Sequence, residues 1–115
     1  MKKRRYVVAA IVAVAGFSAL FAVLPSQGAG LRARLEGNRF HPTTIKIKAG
    51  GAITFTNEDE VTHTATCQGK GCPKDSGDIY PGQLKTLTFN RPGTFALICR
   101  YHGQGGMTAE LTVAP

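Results

Sequence analysis

The stretch FALICRYHGQGGMTAELTV, residues 95–113, carries a thiol, an imidazole and a thioether at Cys99, His102 and Met107. The intervals are three and five residues, and both flanks alternate in the manner of β-strands. In a loop joining two strands, such spacing lets the three side chains converge on one point. Sulfur and imidazole donors suit a soft or borderline cation. Calcium and similar ions take carboxylate oxygens, and the loop has none. Gly103, Gly105 and Gly106 let the backbone fold tightly beneath the ligands.

A fourth ligand must come from elsewhere, and the other two histidines, His41 and His63, are the candidates. His41 precedes Pro42 and leads into a strand. His63 lies in EDEVTHTATC. If 62–67 is a strand, alternation puts His63, Ala65 and Cys67 on one face, and this favours His63. Two histidines, a cysteine and a weakly bound methionine are the donor set of blue-copper electron-transfer sites. Ligand type alone leaves zinc open as an alternative.

The elements that must hold these groups read as β throughout. TTIKIKAG sets Ile45 and Ile47 on one face against Lys46 and Lys48, and GAITFTN sets Ile53 and Phe55 together. LKTLTFN puts Leu84, Leu87 and Phe89 on one face, with an expected shift of register at Lys85–Thr86. LRARLEG, TFALIC and MTAELTV complete the set, separated by turn signals at 37–38, 49–51, 57–59, 81–82 and 91–93. No stripe of helical period and length is present. Short strands at this spacing predict an all-β sandwich or barrel. Tyr80 and Phe95 are expected in or near the core, and the acidic run Glu58–Glu60 is expected as a solvated turn.

The N-terminus has a different composition. MKKRRY is followed by eighteen uncharged residues, 7–24, and then by PSQGAG. Basic, apolar, then small is the order of an export signal, so residues 1–28 are expected to be a signal peptide or, if uncleaved, a membrane anchor. Eighteen helical residues reach about 27 Å, close to a hydrocarbon thickness. The expected domain is then 29–115, exported to the periplasm or the outer face of the cell membrane. The whole chain has a formal charge of +7. Without the first 28 residues, ten basic side chains face seven acidic ones, a net of +3. That leaves no basic run for nucleic acid, and a mildly basic surface suits acidic protein partners. All three cysteines follow the export segment. An oxidising compartment permits a disulfide, and Cys67 and Cys72 in CQGKGC read as a local one. The odd cysteine is left with another task.

NRFHPTTIKIKAGGAITFTNEDEVTHTAT and DSGDIYPGQLKTLTFNRPGTFALICRYHGQGGM together resemble the small cupredoxins, of the plastocyanin, pseudoazurin and amicyanin kind. The first resembles F-x-P…I-x-V-x-x-G…I-x-F-x-N…x-H, the second PG…F…PG-x-[FY]…C-x-x-H…M. The likeness runs from about residue 31 to residue 113. It implies a Greek-key β-sandwich and one type I copper ion. It makes His63, Cys99 and His102 the strong equatorial ligands and Met107 the long axial one, with His41 outside the set. It implies a monomeric electron carrier that meets its redox partners transiently. A copper-carrying module without electron transfer is the alternative function. An oxidase or nitrite reductase would need a second copper site, and only His41 remains to build one.

Three positions depart from the family pattern. Tyr101 stands where proline often precedes the second histidine. Ile98 stands where plastocyanins have the tyrosine of a second electron route, which leaves exit through His102. Thr64 stands where plastocyanins often have asparagine, although its backbone N–H is still placed to bond the Cys99 sulfur. Pro42 and Gly103 are expected to contribute to a flat apolar patch around His102.

Overall fold

In the computed structural model, residues 30–72 and 74–115 are described; the expected export segment, 1–28, lies outside them. Among the described residues eight strands follow one another: β1 Leu31–Leu35, β2 Phe40–His41, β3 Thr44–Lys48, β4 Gly51–Asn57, β5 Thr66–Gln68, β6 Leu84–Phe89, β7 Gly93–Ile98 and β8 Thr108–Ala114. A single 3-10 turn, Gly103–Gly105, lies between β7 and β8. Among the described residues no helix is long and apolar enough to cross a membrane.

The strands form two four-stranded sheets, ordered β2-β1-β4-β6 and β3-β8-β7-β5. From β3 to β7 the chain alternates between sheets, and β8 then returns beside β7 to complete the expected Greek-key sandwich. Each sheet is mixed: β1 runs parallel to β4 and β3 parallel to β8, while the other pairs are antiparallel. The period of two decides which side chains meet between the sheets. Ala33 and Leu35, Ile53 and Phe55, Phe95 and Leu97, and Ala109, Leu111 and Val113 all turn inward and are buried. Fully burying an aliphatic or aromatic side chain of this size contributes about 1.5–3 kcal/mol. Phe40 and Phe55 meet edge to face with centroids 6.2 Å apart. That geometry adds about 0.5–1.5 kcal/mol beyond the area buried.

The β1–β2 hairpin turns through Gly37 and Asn38, with φ of 66° and 56°. Glu36 and Arg39 exchange both backbone hydrogen bonds across it, at 3.0 and 3.2 Å. Positive φ at both central residues is what a tight two-residue hairpin requires, and glycine and asparagine accept it at little cost.

Three expectations give way. The register of β6 against β4 runs unbroken from Leu84 to Phe89, so there is no shift at Lys85–Thr86. Leu84 therefore faces outward and is 54% exposed, while Lys85 joins the half-buried side with Leu87 and reaches toward the Ser76 carbonyl at 3.5 Å. A lysine stem covers apolar surface while its ammonium stays near polar partners, so the inward position is tolerated. Tyr80 is also 54% exposed. It begins a turn closed by Gln83 N–H on its carbonyl at 2.9 Å, with Gly82 at positive φ, and the turn points its ring outward. Finally, the strand expected over 62–67 is reduced to Thr66–Gln68, and the backbone of His63 pairs with Ile79 as an isolated bridge. His63, Thr64 and Ala65 are consecutive and all buried, which strict alternation forbids. The cause is that Thr64 is bonded inward, as described below. Phe95 is in the core as expected.

Cys67 and Cys72 are joined by a disulfide with a Cα–Cα distance of 5.8 Å, and Cys99 is a buried free thiol. The odd cysteine is thus the one in the ligand loop. Titration of the metal-free, denatured protein with a thiol reagent should find one reactive group without reductant and three after reduction. Three without reductant would contradict the disulfide.

Candidate metal centre

Two chain segments build the site. The first runs from Cys99, immediately after β7, to Met107, immediately before β8. The carbonyl of Cys99 accepts from His102 N–H at 3.2 Å and Gly103 N–H at 2.7 Å, curling the chain so that His102 returns over the thiol. The 3-10 turn continues to Gly106, whose φ of 102° suits glycine and whose N–H closes on Gly103 at 3.0 Å. Met107 N–H then bonds the His102 carbonyl, and Cys99 N–H bonds the Met107 carbonyl, both at 3.2 Å. Cys99 and Met107 are thereby fixed opposite one another, and both are fully buried. Arg39 buttresses this loop from the β1–β2 hairpin, with its guanidinium 3.4 Å from the Gly105 carbonyl.

The second segment carries His63. His63 exchanges backbone hydrogen bonds with Ile79 at 3.1 and 2.7 Å. Its side chain is fully buried. Thr64 ties the two segments together. Its N–H points at Cys99 Sγ at 3.4 Å, and its hydroxyl accepts from Arg100 N–H at 2.9 Å. The bond from residue 64 to the sulfur is the one expected from the sequence.

His63, Cys99 and His102 come together. Nδ1 of His63 is 3.8 Å and Nδ1 of His102 is 3.5 Å from Cys99 Sγ. The donor atoms of the three residues all lie within 4.8 Å of one another. The two imidazoles are inclined at 70° with centroids 4.9 Å apart. Two imidazole nitrogens and one thiol sulfur face a common point, with the sulfur sealed from solvent and capped by an N–H. That donor chemistry fits a copper ion, because soft sulfur and imidazole serve both of its oxidation states. His102 is partly exposed, so the cluster has one edge toward the surface. His41 lies apart: its Nε2 bonds the Glu36 carbonyl at 2.9 Å. Pro42 lines a surface cleft with Arg32, Ala33, Arg34, His41, Thr56 and Glu58. Gly103 packs near Ile98 in the ligand loop.

The acidic run is not simply a solvated turn. Glu58 and Glu60 are exposed, but Asp59 turns inward and its Oδ2 lies 2.7 Å from Nε2 of His63. Burial pushes the Asp59 carboxyl upward. Hydrogen bonds from Asn38 and Gly37 N–H and from His63 outweigh it, so its pKa lies below the ordinary value. The four-residue offset to His63 carried no signal, because it means a shared face only on a helix and this segment is irregular. Beside His102, Tyr101 is 56% exposed and its hydroxyl donates to Asp78 Oδ1 at 2.6 Å. This bond is the main reason the Tyr101 phenol titrates above its ordinary value.

Residues 31–114 match the family of copper binding proteins described as the plastocyanin/azurin family. The chain belongs to that family. It is 31% identical over 121 residues to chloroplastic plastocyanin of Tetradesmus obliquus, covering 96% of this chain and 81% of that one. It is 31% identical over 87 residues to amicyanin-alpha of Methylorubrum extorquens, covering 73% of each. Among solved structures, amicyanin from Paracoccus versutus superposes with a TM-score of 0.63 at 21% identity, over 73% of this chain and 80% of that one. A copper-containing nitrite reductase from Thermus scotoductus superposes with a TM-score of 0.65 at 26% identity, but the match covers only 22% of its chain. The protein is a cupredoxin, and its cofactor is one type I copper.

Thr64 bears directly on the site's stability. Thr64→Val keeps the shape but leaves Arg100 N–H without its acceptor, and it should destabilise the metal-free protein by about 1–3 kcal/mol. Denaturant unfolding followed by circular dichroism reads this; an unchanged midpoint would mean the bond contributes nothing.

Proposed function

We propose that the protein is an exported, monomeric electron carrier that passes single electrons between redox proteins on one copper held by His63, Cys99, His102 and Met107. The observation that carries this reading is the buried His63–Cys99–His102 cluster, with its donor atoms within 4.8 Å of one another, in a chain of the plastocyanin/azurin family. Copper in such a site supplies a one-electron couple between Cu(II) and Cu(I). The protein's part is to hold the donors still, so that little has to move when the electron arrives or leaves.

The chain divides that work among specific groups. The thiolate of Cys99 is the strong donor, and the Thr64 N–H withdraws charge from it. His63 anchors the buried side and His102 the partly exposed one. Met107 is buried and its backbone carbonyl accepts from Cys99 N–H, and its thioether would be the weak fourth ligand. Electrons leave and enter by the His102 edge. Ile98 offers no aromatic side route, and Tyr101 alters the surface that a partner meets. The interface is expected to be small and short-lived, as turnover requires.

An enzymatic role has little to stand on. His41 is the one histidine outside the cluster, and its ring is committed to a backbone carbonyl. The nitrite reductase is a much longer chain of which this fold is a fraction. A copper-carrying role without electron transfer is the weaker reading, since cargo sites favour exposed methionines and Met107 is the sole methionine after Met1. Export is supported by the order of residues 1–28, a signal peptide or anchor ahead of the domain, and by the disulfide, which an oxidising compartment sustains. The periplasm or the outer membrane face is the expected site of action.

The test is a visible spectrum of the copper-loaded domain beside Cys99→Ser. Intense blue absorption in the wild type and none in the variant is the expected result. A colourless wild type at full copper occupancy would overturn the assignment of Cys99 as ligand. Met107→Leu removes a weak donor that favours the more highly charged oxidation state. It should keep the blue colour and raise the reduction potential; an unchanged potential in voltammetry would remove Met107 from the ligand set.

A further inference from the structure

The two nitrogens of the His63 ring have different neighbours. Nδ1 faces the cluster, 3.8 Å from Cys99 Sγ, and Nε2 faces Asp59 Oδ2 at 2.7 Å. An ionised carboxylate only accepts, so this contact puts the ring proton on Nε2 and leaves the lone pair on Nδ1, aimed at the metal position.

Asp59 is itself held. Its Oδ1 accepts Gly37 N–H at 2.8 Å and its Oδ2 accepts Asn38 N–H at 3.0 Å, both from the tight β1–β2 hairpin. Its own N–H donates to Asn57 Oδ1 at 2.8 Å. Asn57 is 1% exposed at the end of β4, and its amide donates to the carbonyls of Val61 and Ile79, each at 2.8 Å. Ile79 is the residue that pairs with His63 through the backbone. The bonds therefore close a ring from Asn57 to Asp59 to His63 to Ile79 and back to Asn57. A carboxylate wanted only for solubility would sit outward, as Glu58 and Glu60 do.

We infer that Asp59 is a positioning residue of the metal centre, fixing the tautomer and ring orientation of His63 and holding a negative charge behind that ligand. The inference rests on the copper reading of the cluster. A hydrogen-bonded carboxylate makes an imidazole a better donor, and it favours the oxidation state with the higher positive charge. Loss of the charge should therefore weaken Cu(II) binding and raise the reduction potential. The competing role is purely architectural, with Asp59 serving only to tie down the Gly37–Asn38 turn. That role predicts a change in folding stability and no change at the metal.

The experiment compares copper-loaded wild type, Asp59→Asn and Asp59→Ala. It reads Cu(II) affinity by chelator competition, the reduction potential by voltammetry, the visible spectrum, and the unfolding midpoint of each metal-free form. Asp59→Asn keeps an acceptor and the side-chain shape but removes the charge. It should remain folded and blue, bind Cu(II) roughly tenfold more weakly, and show a higher potential. Asp59→Ala should lose roughly 10–100-fold in affinity and shift the visible band, because the ring is no longer held. If the alanine variant does not fold, the asparagine variant decides alone. Wild-type affinity, potential and spectrum in the folded variants would overturn the inference, whatever happens to the unfolding midpoint. A wild type that takes up copper without colour would overturn the copper reading first, and this inference with it.

Discussion

The site depends on one contact more than any other, the N–H of Thr64 directed at the sulfur of Cys99. It joins two segments that are 35 residues apart in the chain and adjoin the paired strands β5 and β7. The Thr64 hydroxyl repeats the connection by accepting from Arg100 N–H. These two bonds keep His63 beside the ligand loop. A buried thiol needs a partner for its sulfur, and a buried N–H needs an acceptor, so each resolves the other's desolvation. The consequence is a donor cluster preformed by the protein.

The rest of the fold supplies what that contact requires. The parallel pairs β1–β4 and β3–β8 lock the two sheets into a frame, and β7 and β8 carry the ligand loop between them. The loop is tightened by its own backbone bonds, with glycine where φ is positive and an Arg39 guanidinium beside it. Rigid donors minimise the rearrangement that accompanies a change of oxidation state. Stability and function therefore draw on the same hydrogen bonds in this molecule. The partly exposed His102, with Tyr101 beside it, is where this frame reaches the surface.

Much of this was legible in the sequence, for reasons that differ by residue. Cys99, His102 and Met107 show themselves by type and interval, since a short loop between strands brings such spacings together. His63 emerged from alternation, although the alternation was only partly right: His63, Ala65 and Cys67 are buried as expected, but Thr64 is buried too. Its inward turn depends on Cys99 and Arg100, residues far away in sequence, and no local pattern encodes that. Asp59 was hidden for a similar reason. Three consecutive acidic residues look like a solvated surface, and only the hairpin at Gly37–Asn38 and the ring of His63 single out the middle one. Leu84 and Tyr80 misled because apolar character was read as burial, whereas turn geometry and the unbroken β6 register place both outside.

The central claim is that a triad of His63, Cys99 and His102, already assembled by the protein, holds one copper without exchanging ligands as it changes oxidation state. The most direct measurement is X-ray absorption at the copper edge on the same sample, oxidised and then reduced. The account predicts two nitrogen donors and one short sulfur donor in both states, with only small changes in distance. Loss or gain of a nitrogen or of the short sulfur on reduction would contradict it, because the site would then be remade at each turnover and not simply held.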